Sequence, residues 1–230
     1  MSARQVVLDT ETTGLEAREG HRIIEIGCIE IIGRRVTERR LHHYINPLRA
    51  SDEGALAVHG LTEEFLSDKP TFDAIVDDLL AFVADAEVII HNASFDCEFL
   101  DAELRRLERP RFADHCLTVT DSLKLARELH PGKRNSLDAL CERHGVSNAH
   151  RTLHGALLDA GLLAEVYLAM TRGQDTLVID LAQDRAEVEG GPLDCSALMV
   201  IEASADECEA HSRVVAALDK ASGGRAVWTA

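Results

Sequence analysis

The chain has 230 residues, of which 24 are lysine or arginine and 40 are aspartate or glutamate, so its formal net charge at pH 7 is −16. This length suits one or two domains, and a hydrophobic share of 46% excludes a wholly disordered chain. Without a surplus of basic residues, the chain is expected to bind a polyanion poorly by charge alone.

The sequence contains neither the pattern of an export signal nor that of a membrane span. The first residues run directly into an apolar strand-like segment, and no stretch approaches the roughly 20 apolar residues that a bilayer requires. The six cysteines are scattered without Cys-x-x-Cys spacing, which argues against a disulfide framework or a zinc site. We therefore expect a cytoplasmic protein with reduced thiols and no membrane partner.

The predicted elements begin with three strands and continue with helices and a further strand. Runs of β-branched or alternating residues predict strands at Gln5–Asp9, Ile23–Ile32, Val36–Asn46 and Glu87–His91. Helical periodicity predicts helices at Thr71–Val83, Ser94–Leu107, Asp121–Leu129, Ser136–His144 and Thr152–Met170. This order predicts an α/β fold in which helices flank a mixed β-sheet.

The composition and the hydrophobic pattern of the chain change after the last of these helices. Residues 1–173 are predicted to form one domain, and residues 174–204 a flexible linker, because they hold an acidic run and Gly190-Gly191-Pro192 without a sustained helical period. Residues 205–230 are predicted to form a C-terminal helical tail, with a helix over Ala205–Ser222 that ends at Gly223-Gly224. A short tethered helix cannot bury its apolar face alone, so we expect it to dock on a partner.

Two carboxylates close the first predicted strand. Asp9 and Glu11 are two residues apart, so they project from the same face of the strand and repel each other unless a cation or a proton lies between them. Oxygen ligands of this kind suit Mg²⁺ or Mn²⁺. On these residues alone, a solvated turn closed by Gly14 is an equally good interpretation.

Two further carboxylates lie at positions that favour a site. Asp96 follows the predicted strand Glu87–His91, in the first turn of a helix for which Ser94 is the expected N-cap, although the helix dipole alone also favours Asp there. Asp159 lies in an apolar run, where a carboxylate is costly unless it is paired or metal-bound. His154 is predicted to lie in the irregular first turn of the same helix and to face the same cleft.

Together, the four carboxylates and the histidine indicate one kind of chemistry. Four converging negative charges require cations, and two divalent metal ions about 4 Å apart are the usual arrangement for in-line displacement at a phosphodiester. His154, with an ordinary pKa of about 6.5, would be the general base that takes a proton from the attacking water. The sequence therefore predicts metal-assisted phosphodiester hydrolysis.

The three motifs DTETTG, HNASFD and HGALLD resemble the exonuclease motifs of the DEDDh 3′→5′ exonucleases. GKRNSLDALCERHGV and RTLHGALLDAGLLAEVYLAMTRGQ also resemble the proofreading subunits of bacterial DNA polymerase III. The resemblance implies a ribonuclease H-like fold and a proofreading 3′→5′ exonuclease that releases nucleoside 5′-monophosphates from DNA. It assigns Asp9, Glu11, Asp96 and Asp159 to two metal ions, Mg²⁺ or Mn²⁺, and His154 to the general base.

The same resemblance implies substrate contacts. His59 would contact the terminal nucleotide of a single-stranded 3′ end, Val58 would pack on its base, and Asn92 and Phe95 would line the path of the strand, with Asp9, Glu11 and Asp159 also facing the substrate. Relatives often carry Glu five residues before this histidine, whereas here Gly54 stands there with Glu53 beside it. The contact made by that Glu is therefore in question.

The partners implied by the resemblance lie beyond the catalytic motifs. Gln174, Leu177 and Ile179 resemble a peptide that binds the sliding clamp, and the tail resembles the segment that binds the alpha subunit of DNA polymerase III. A small theta-like subunit is a further implied partner. Two alternatives stay open: a free-standing DEDDh nuclease that acts on RNA or repair intermediates, and a mainly structural adaptor between polymerase and clamp.

Overall fold

A computed structural model describes residues 4–148, 153–172 and 203–224. Its strands are β1 (Arg4–Thr12), β2 (Ile23–Ile32), β3 (Arg35–Tyr44), β4 (Glu87–Ile90) and β5 (Thr118–Asp121). Its helices are α1 (Glu53–His59), α2 (Glu63–Leu66), α3 (Phe72–Val83), α4 (Ala93–Arg106), α5 (Ser122–Leu129), α6 (Leu137–His144), α7 (Ala156–Met170) and α8 (Ala205–Ser222). Short 3₁₀ turns occur at Ala17–Glu19 and Phe112–His115.

The strands form one mixed sheet in the order β3-β2-β1-β4-β5. β1, β2 and β3 pair antiparallel, and β2 joins β3 through a tight turn in which Gly33 and Arg34 both have positive φ, as a two-residue hairpin turn requires. β4 pairs parallel with β1, and β5 pairs parallel with β4. The carboxyl ends of β1, β4 and β5 therefore meet at one edge of the sheet, where ligand sites of open α/β sheets lie.

Two helical layers cover the sheet, and the alternation of β1 assigns its residues to them. Val6 and Leu8 belong to the core cluster that packs with α3 and α4. Val7 belongs to the cluster on the opposite face, which packs with α5, α6 and α7. By the same alternation, Asp9 and Glu11 face the α7 side of the sheet and Thr10 faces the α4 side.

A glycine in β2 lets α7 approach the sheet very closely. A Cβ atom at Gly27 would lie 2.3 Å from the backbone nitrogen of Leu157 and 2.4 Å from the carbonyl carbon of Ala156, both at the start of α7. Gly27 is also the residue paired with Asp9 in the sheet. The absence of a side chain at this position therefore sets the start of α7 directly beside the Asp9 region of β1.

Most predicted elements are present, and their ends differ by a few residues. The largest differences are β5, α1 and α2, for which no element was predicted. β5 has only four residues, and α2 has only four, so neither is long enough to display a period. β1 also continues past Asp9 to Thr12, because its pairing with β2 extends to Ile23.

The chain divides into two units, Met1–Ile179 and Asp180–Ala230, and the second contains α8. This helix has the predicted bounds, a capping box between Ser204 and Glu207, and a left-handed C-cap at Gly223. The predicted domain limits at 173/174 and 204/205 remain predictions. No helix within the described ranges is long and apolar enough to cross a membrane, and the five cysteines described there are free.

Gly27→Ala is expected to lower the free energy of unfolding by about 1–3 kcal/mol, because the methyl group would displace backbone rather than a flexible side chain. Urea denaturation measures the change. Gly161→Ala within α7 is the matched control, since its Cβ would meet only Ile29 Cδ1 at 3.5 Å, and alanine stabilises a helix interior by about 1 kcal/mol. Equal stability of the two variants would contradict the close packing of α7 on β2 at Gly27.

Candidate active site

Strand β1 presents Asp9 and Glu11, both half-buried, on the face that α7 covers. Across the ladder, Asp9 pairs with Gly27 and Glu11 pairs with Glu25 on β2. The two carboxylates thus lie within a paired strand rather than in a solvated turn, which removes the alternative interpretation of the DTETTG motif.

The start of α7 brings His154 and Asp159 to Glu11. The ligand atoms of these three residues all lie within 4.8 Å of one another. Nδ1 of His154 is 3.3 Å from Oδ2 of Asp159, which is 3% exposed, whereas the His154 side chain is 44% exposed. His154 does not lie in the first helical turn as predicted: Gly155 is the extended N-cap and the helix begins at Ala156.

Asp96 approaches the same strand from the opposite helical layer. It lies in the first turn of α4, it is 4% exposed, and its Oδ1 accepts a hydrogen bond of 2.7 Å from Thr10 Oγ1. The N-cap of α4 is not Ser94, as predicted, but Asn92 in the left-handed conformation, with Ser94 Oγ donating to Asn92 Oδ1 at 3.3 Å. The left-handed residue turns the chain sharply from β4 into the helix, so the helix starts one residue earlier than Ser94.

Burial dominates the titration of Asp96. It raises the pKa of the Asp96 carboxyl to about 7, although hydrogen bonds from the Thr10 hydroxyl and from backbone N–H groups act in the opposite direction. In the absence of a cation, this carboxylate is therefore largely protonated below neutral pH.

The donor set fits hard divalent cations. Glu11 and the buried Asp159 offer carboxylate oxygens at one point, Asp9 lies on the same face of β1, and Asp96 reaches the strand between them. Carboxylate oxygen is the donor that Mg²⁺ and Mn²⁺ prefer. Because a ring nitrogen of His154 lies within the same group of atoms, the arrangement leaves two roles open to this histidine: metal ligand, or proton acceptor beside the carboxylates.

One acidic residue near the cluster was not predicted. Glu25 on β2 is 3% exposed, and its Oε1 is 2.7 Å from His42 Nε2 on β3. Its carboxylate oxygens also lie 3.9 Å from the position of a Cβ at Gly155. The signal in the sequence is a charged residue in the apolar run IIEIG, where a buried carboxylate requires a partner.

An apolar cavity of about 500 Å³ opens at Glu11. Val58, His59 and Phe95, all predicted substrate contacts, line it, whereas Asn92 is absent from its lining. Gly54 lines the cavity as well, and a Cβ there would have no neighbour within 4 Å. A side chain at this position would therefore extend into open space at the cavity.

His59 is buried at the inner wall of this cavity. Its Nδ1 accepts a hydrogen bond from the Leu61 N–H at 2.9 Å, and burial lowers its pKa. The ring is therefore neutral at pH 7 and carries its proton on Nε2. That nitrogen has no hydrogen-bond partner among the described residues, so it is a donor available to a ligand.

The loop that ends α1 is joined to the segment before α7. The His154 N–H donates to the Val58 carbonyl at 3.1 Å. Leu153 packs on Gly60 so closely that a Cβ there would lie 2.6 Å from Leu153 Cδ1. The apolar cavity and His154 are thus held in one assembly, although they are far apart in the sequence.

The chain is similar to a class of nucleases. The exonuclease family RNase T matches residues 6–167. A solved structure, "Exonuclease X in complex with 5′ overhanging duplex DNA", is similar with a TM-score of 0.58 and 25% identity, over 73% of this chain and 91% of that one. Exonuclease I shares the fold, with a TM-score of 0.67 and 17% identity, over 76% of this chain and 42% of that one. The chain has the fold and family of an exonuclease.

Relatives of similar sequence identify a particular family within this class. DNA polymerase III subunit epsilon of Salmonella typhimurium is 48% identical over 99% of this chain and 98% of its own length. The proteins of the same name from Escherichia coli and Rickettsia prowazekii are 46% and 52% identical, over 99% and 76% of this chain and 98% and 77% of their own lengths. The chain belongs to the epsilon-subunit family of DNA polymerase III. The predicted family, ribonuclease H-like fold and exonuclease activity are confirmed.

Gln174, Leu177 and Ile179 lie outside the described residues, and the clamp-binding assignment stays a prediction.

Asp96 leads to a prediction about the metal-free protein. The Asp96 carboxyl titrates near pH 7 when folded and near its ordinary value of 3.8 when unfolded. Between these values the folded state binds more protons, so the free energy of unfolding contributed by Asp96 falls as pH rises from about 4 to 7. In EDTA, Asp96→Asn is expected to match the wild type at pH 4 and to exceed its stability by roughly 2–4 kcal/mol at pH 8.

Urea denaturation across this pH range measures the difference. Asp73→Asn is the control, because Asp73 lies exposed in the first turn of α3. Parallel pH curves for wild type and Asp96→Asn would refute the assignment.

Proposed function

We propose that this chain is the proofreading 3′→5′ exonuclease of a DNA polymerase III, and that it hydrolyses the terminal phosphodiester of DNA with two divalent metal ions. The observation that carries the proposal is the convergence of Glu11, Asp159 and His154 within 4.8 Å, beside an apolar cavity of about 500 Å³. Carboxylates able to hold cations and a pocket able to hold a base are the two parts that this reaction requires.

The apolar cavity suits the base of the terminal nucleotide. Phe95 offers an aromatic surface and Val58 an aliphatic one, and stacking on such surfaces tolerates every base, as proofreading demands. The Nε2–H of neutral His59 would donate to an oxygen of the same nucleotide. Because a mispaired terminus unpairs more readily, a single strand reaches such a site more often from a mismatch.

His154 is assigned to proton transfer. Its Nδ1 lies 3.3 Å from the Asp159 carboxylate, a contact that orients the ring beside the carboxylates, and the imidazole would accept a proton from water. The side chain is 44% exposed, so the proton can pass from the ring to solvent.

Asp9, Glu11, Asp96 and Asp159 would hold the metal ions, Mg²⁺ or Mn²⁺. When bound, two such ions lower the pKa of water and neutralise charge on the phosphoryl group and the leaving oxygen. The carboxylates of this chain orient that site, and the apolar cavity holds the substrate with its scissile bond beside them. The product is a nucleoside 5′-monophosphate.

The name shared by the relatives, DNA polymerase III subunit epsilon, supports a partnership with the polymerase, and the resemblance of the tail supports the finer contacts. We propose that the chain works in the cytoplasm as a subunit of DNA polymerase III, that its tail binds the alpha subunit, and that residues 174–179 contact the sliding clamp. A theta-like subunit is a further proposed partner. The exposed Val214 and Leu218 of α8, 58% and 52% accessible, support an apolar docking face on the tail.

On a primer with a 3′ mismatch and Mg²⁺, the protein is expected to release nucleoside monophosphates stepwise from the 3′ end. Asp9→Ala is expected to reduce the rate at least 1,000-fold, because removing a metal ligand disables both charge neutralisation and water activation. His154→Ala is expected to reduce it about 100- to 1,000-fold, as for loss of a general base, with Mn²⁺ binding by calorimetry largely unchanged. Val36→Ala, on exposed β3, is the control.

The outcomes separate the alternatives. An intact protein that leaves such primers untouched would favour the adaptor, and a strong preference for RNA ends would favour the free-standing nuclease. Loss of metal binding in His154→Ala would make the histidine a ligand rather than a base.

The tail gives a second prediction. Val214→Asp with Leu218→Asp is expected to weaken binding of the full chain to the purified alpha subunit at least 100-fold, measured by surface plasmon resonance, while primer degradation continues at the wild-type rate. Ser212→Asp with Ala216→Asp places the same two charges on the other side of α8 and is expected to bind normally. Unchanged binding of the first variant would refute the docking face.

A further inference from the structure

We propose that Arg127 and Lys133 form a second substrate-binding wall, which binds phosphate groups of the DNA strand next to the scissile bond. This inference rests on the proposed function and extends it. It concerns a second cavity, which contains Asp9 rather than Glu11, and it assigns residues that lie outside the three exonuclease motifs.

A second cavity, of about 530 Å³, is the first observation. Asp9 and His154 line one part of it, and Arg127, from α5, and Lys133, from the loop before α6, line another. The apolar cavity instead contains Glu11 and no lysine or arginine. Each cavity thus contains one of the two carboxylates of β1: Glu11 lines the apolar cavity, and Asp9 lines the cavity that also holds Arg127 and Lys133.

The charges in this second cavity are available to a ligand. Arg127 and Lys133 are exposed, and neither side chain forms an ion pair or hydrogen bond within the described part of the chain. Asp138, the other acidic residue of the lining besides Asp9, already accepts a hydrogen bond from Asn148 Nδ2 at 3.0 Å. The protein has a net charge of −16, yet these two positively charged side chains lie in a cavity beside the proposed site of phosphodiester cleavage.

The loop that carries Lys133 is held rigidly. Asn135 is 7% exposed, and its Nδ2 donates to the carbonyl oxygens of Lys133 at 3.1 Å and His130 at 3.4 Å. Arg143 donates to Asn135 Oδ1 at 3.0 Å and to the Arg134 carbonyl at 2.7 Å. These bonds fix the backbone under Lys133, so its ammonium group can reach the cavity with little ordering of the chain.

The chemistry of a nucleic acid strand matches the two cavities. Each nucleotide carries an apolar base face and an anionic phosphate, and phosphates are bound by Lys and Arg with little regard to sequence. With the terminal base in the apolar cavity and the scissile phosphate at the carboxylates, a neighbouring phosphate in the second cavity would meet Arg127 and Lys133. The wall would also offset the repulsion between the acidic protein and the strand.

The test uses the full-length protein, Mg²⁺ and a single-stranded DNA primer, with steady-state kinetics. Arg127→Ala with Lys133→Ala is expected to raise KM about five- to tenfold with kcat within twofold of wild type. The slope of log KM against log salt concentration is expected to fall by about 0.7 for each lost phosphate contact. Arg127→Lys with Lys133→Arg, which keeps both charges, is expected to restore KM.

A neutral methylphosphonate placed at each of the three linkages upstream of the scissile one provides the decisive measurement. At one or more linkages it should raise KM for the wild type and have no effect on the Arg127→Ala, Lys133→Ala variant. Arg106→Ala, which removes an exposed charge at the end of α4 outside both cavities, should respond as the wild type does. Equal responses of wild type and double variant at all three linkages would overturn the proposal, whereas a wild type that releases no nucleotide would instead refute the proposed function.

Discussion

The close approach of α7 to Gly27 is the constraint on which the rest of the site depends. Glu11 belongs to β1 and Asp159 to a helix that follows it by more than a hundred residues, and the backbone contact of that helix with the neighbouring strand β2 brings their carboxylates together. Gly27 pairs with Asp9, so the same contact sets the start of α7 beside both acidic residues of β1. Any side chain at this position would separate the helix from the strand.

The carboxylates of this arrangement repel one another, and a different interaction offsets the charge of each acidic residue. Asp96 accepts a hydrogen bond from Thr10 and holds its proton up to about pH 7. Glu25 is bonded to His42. Asp159 faces His154, and the group that it forms with Glu11 suits divalent cations. The negative charge of the chain is therefore compatible with a DNA substrate, provided that metal ions, a cationic wall and partner subunits raise the local affinity.

Sequence patterns predict those helices and strands that are long enough to show a hydrophobic period. β2 and α8 have the predicted bounds, and α3, α5 and α6 begin one residue after their predicted starts. The errors fall where local rules compete with tertiary contacts. Ser94 is a good N-cap by type, but the turn out of β4 uses Asn92 in the left-handed conformation. His154 lies before α7 because its N–H bonds to Val58, a contact that no local pattern contains.

The sequence by itself determined the chemical groups of this protein: the spacing of Asp9 and Glu11 on one face, the carboxylate of Asp159 in an apolar helix, and the family to which these motifs belong. These follow from the period of strands and helices and from the cost of burying a charge, both of which are local properties. Only the tertiary structure decided which groups meet. Glu25 meets His42 because β2 and β3 pair in the sheet. The bond from the His154 N–H to the Val58 carbonyl, and the cavity that Arg127 and Lys133 share with Asp9, join residues distant in the chain, and their proximity depends on how the helices pack on the sheet.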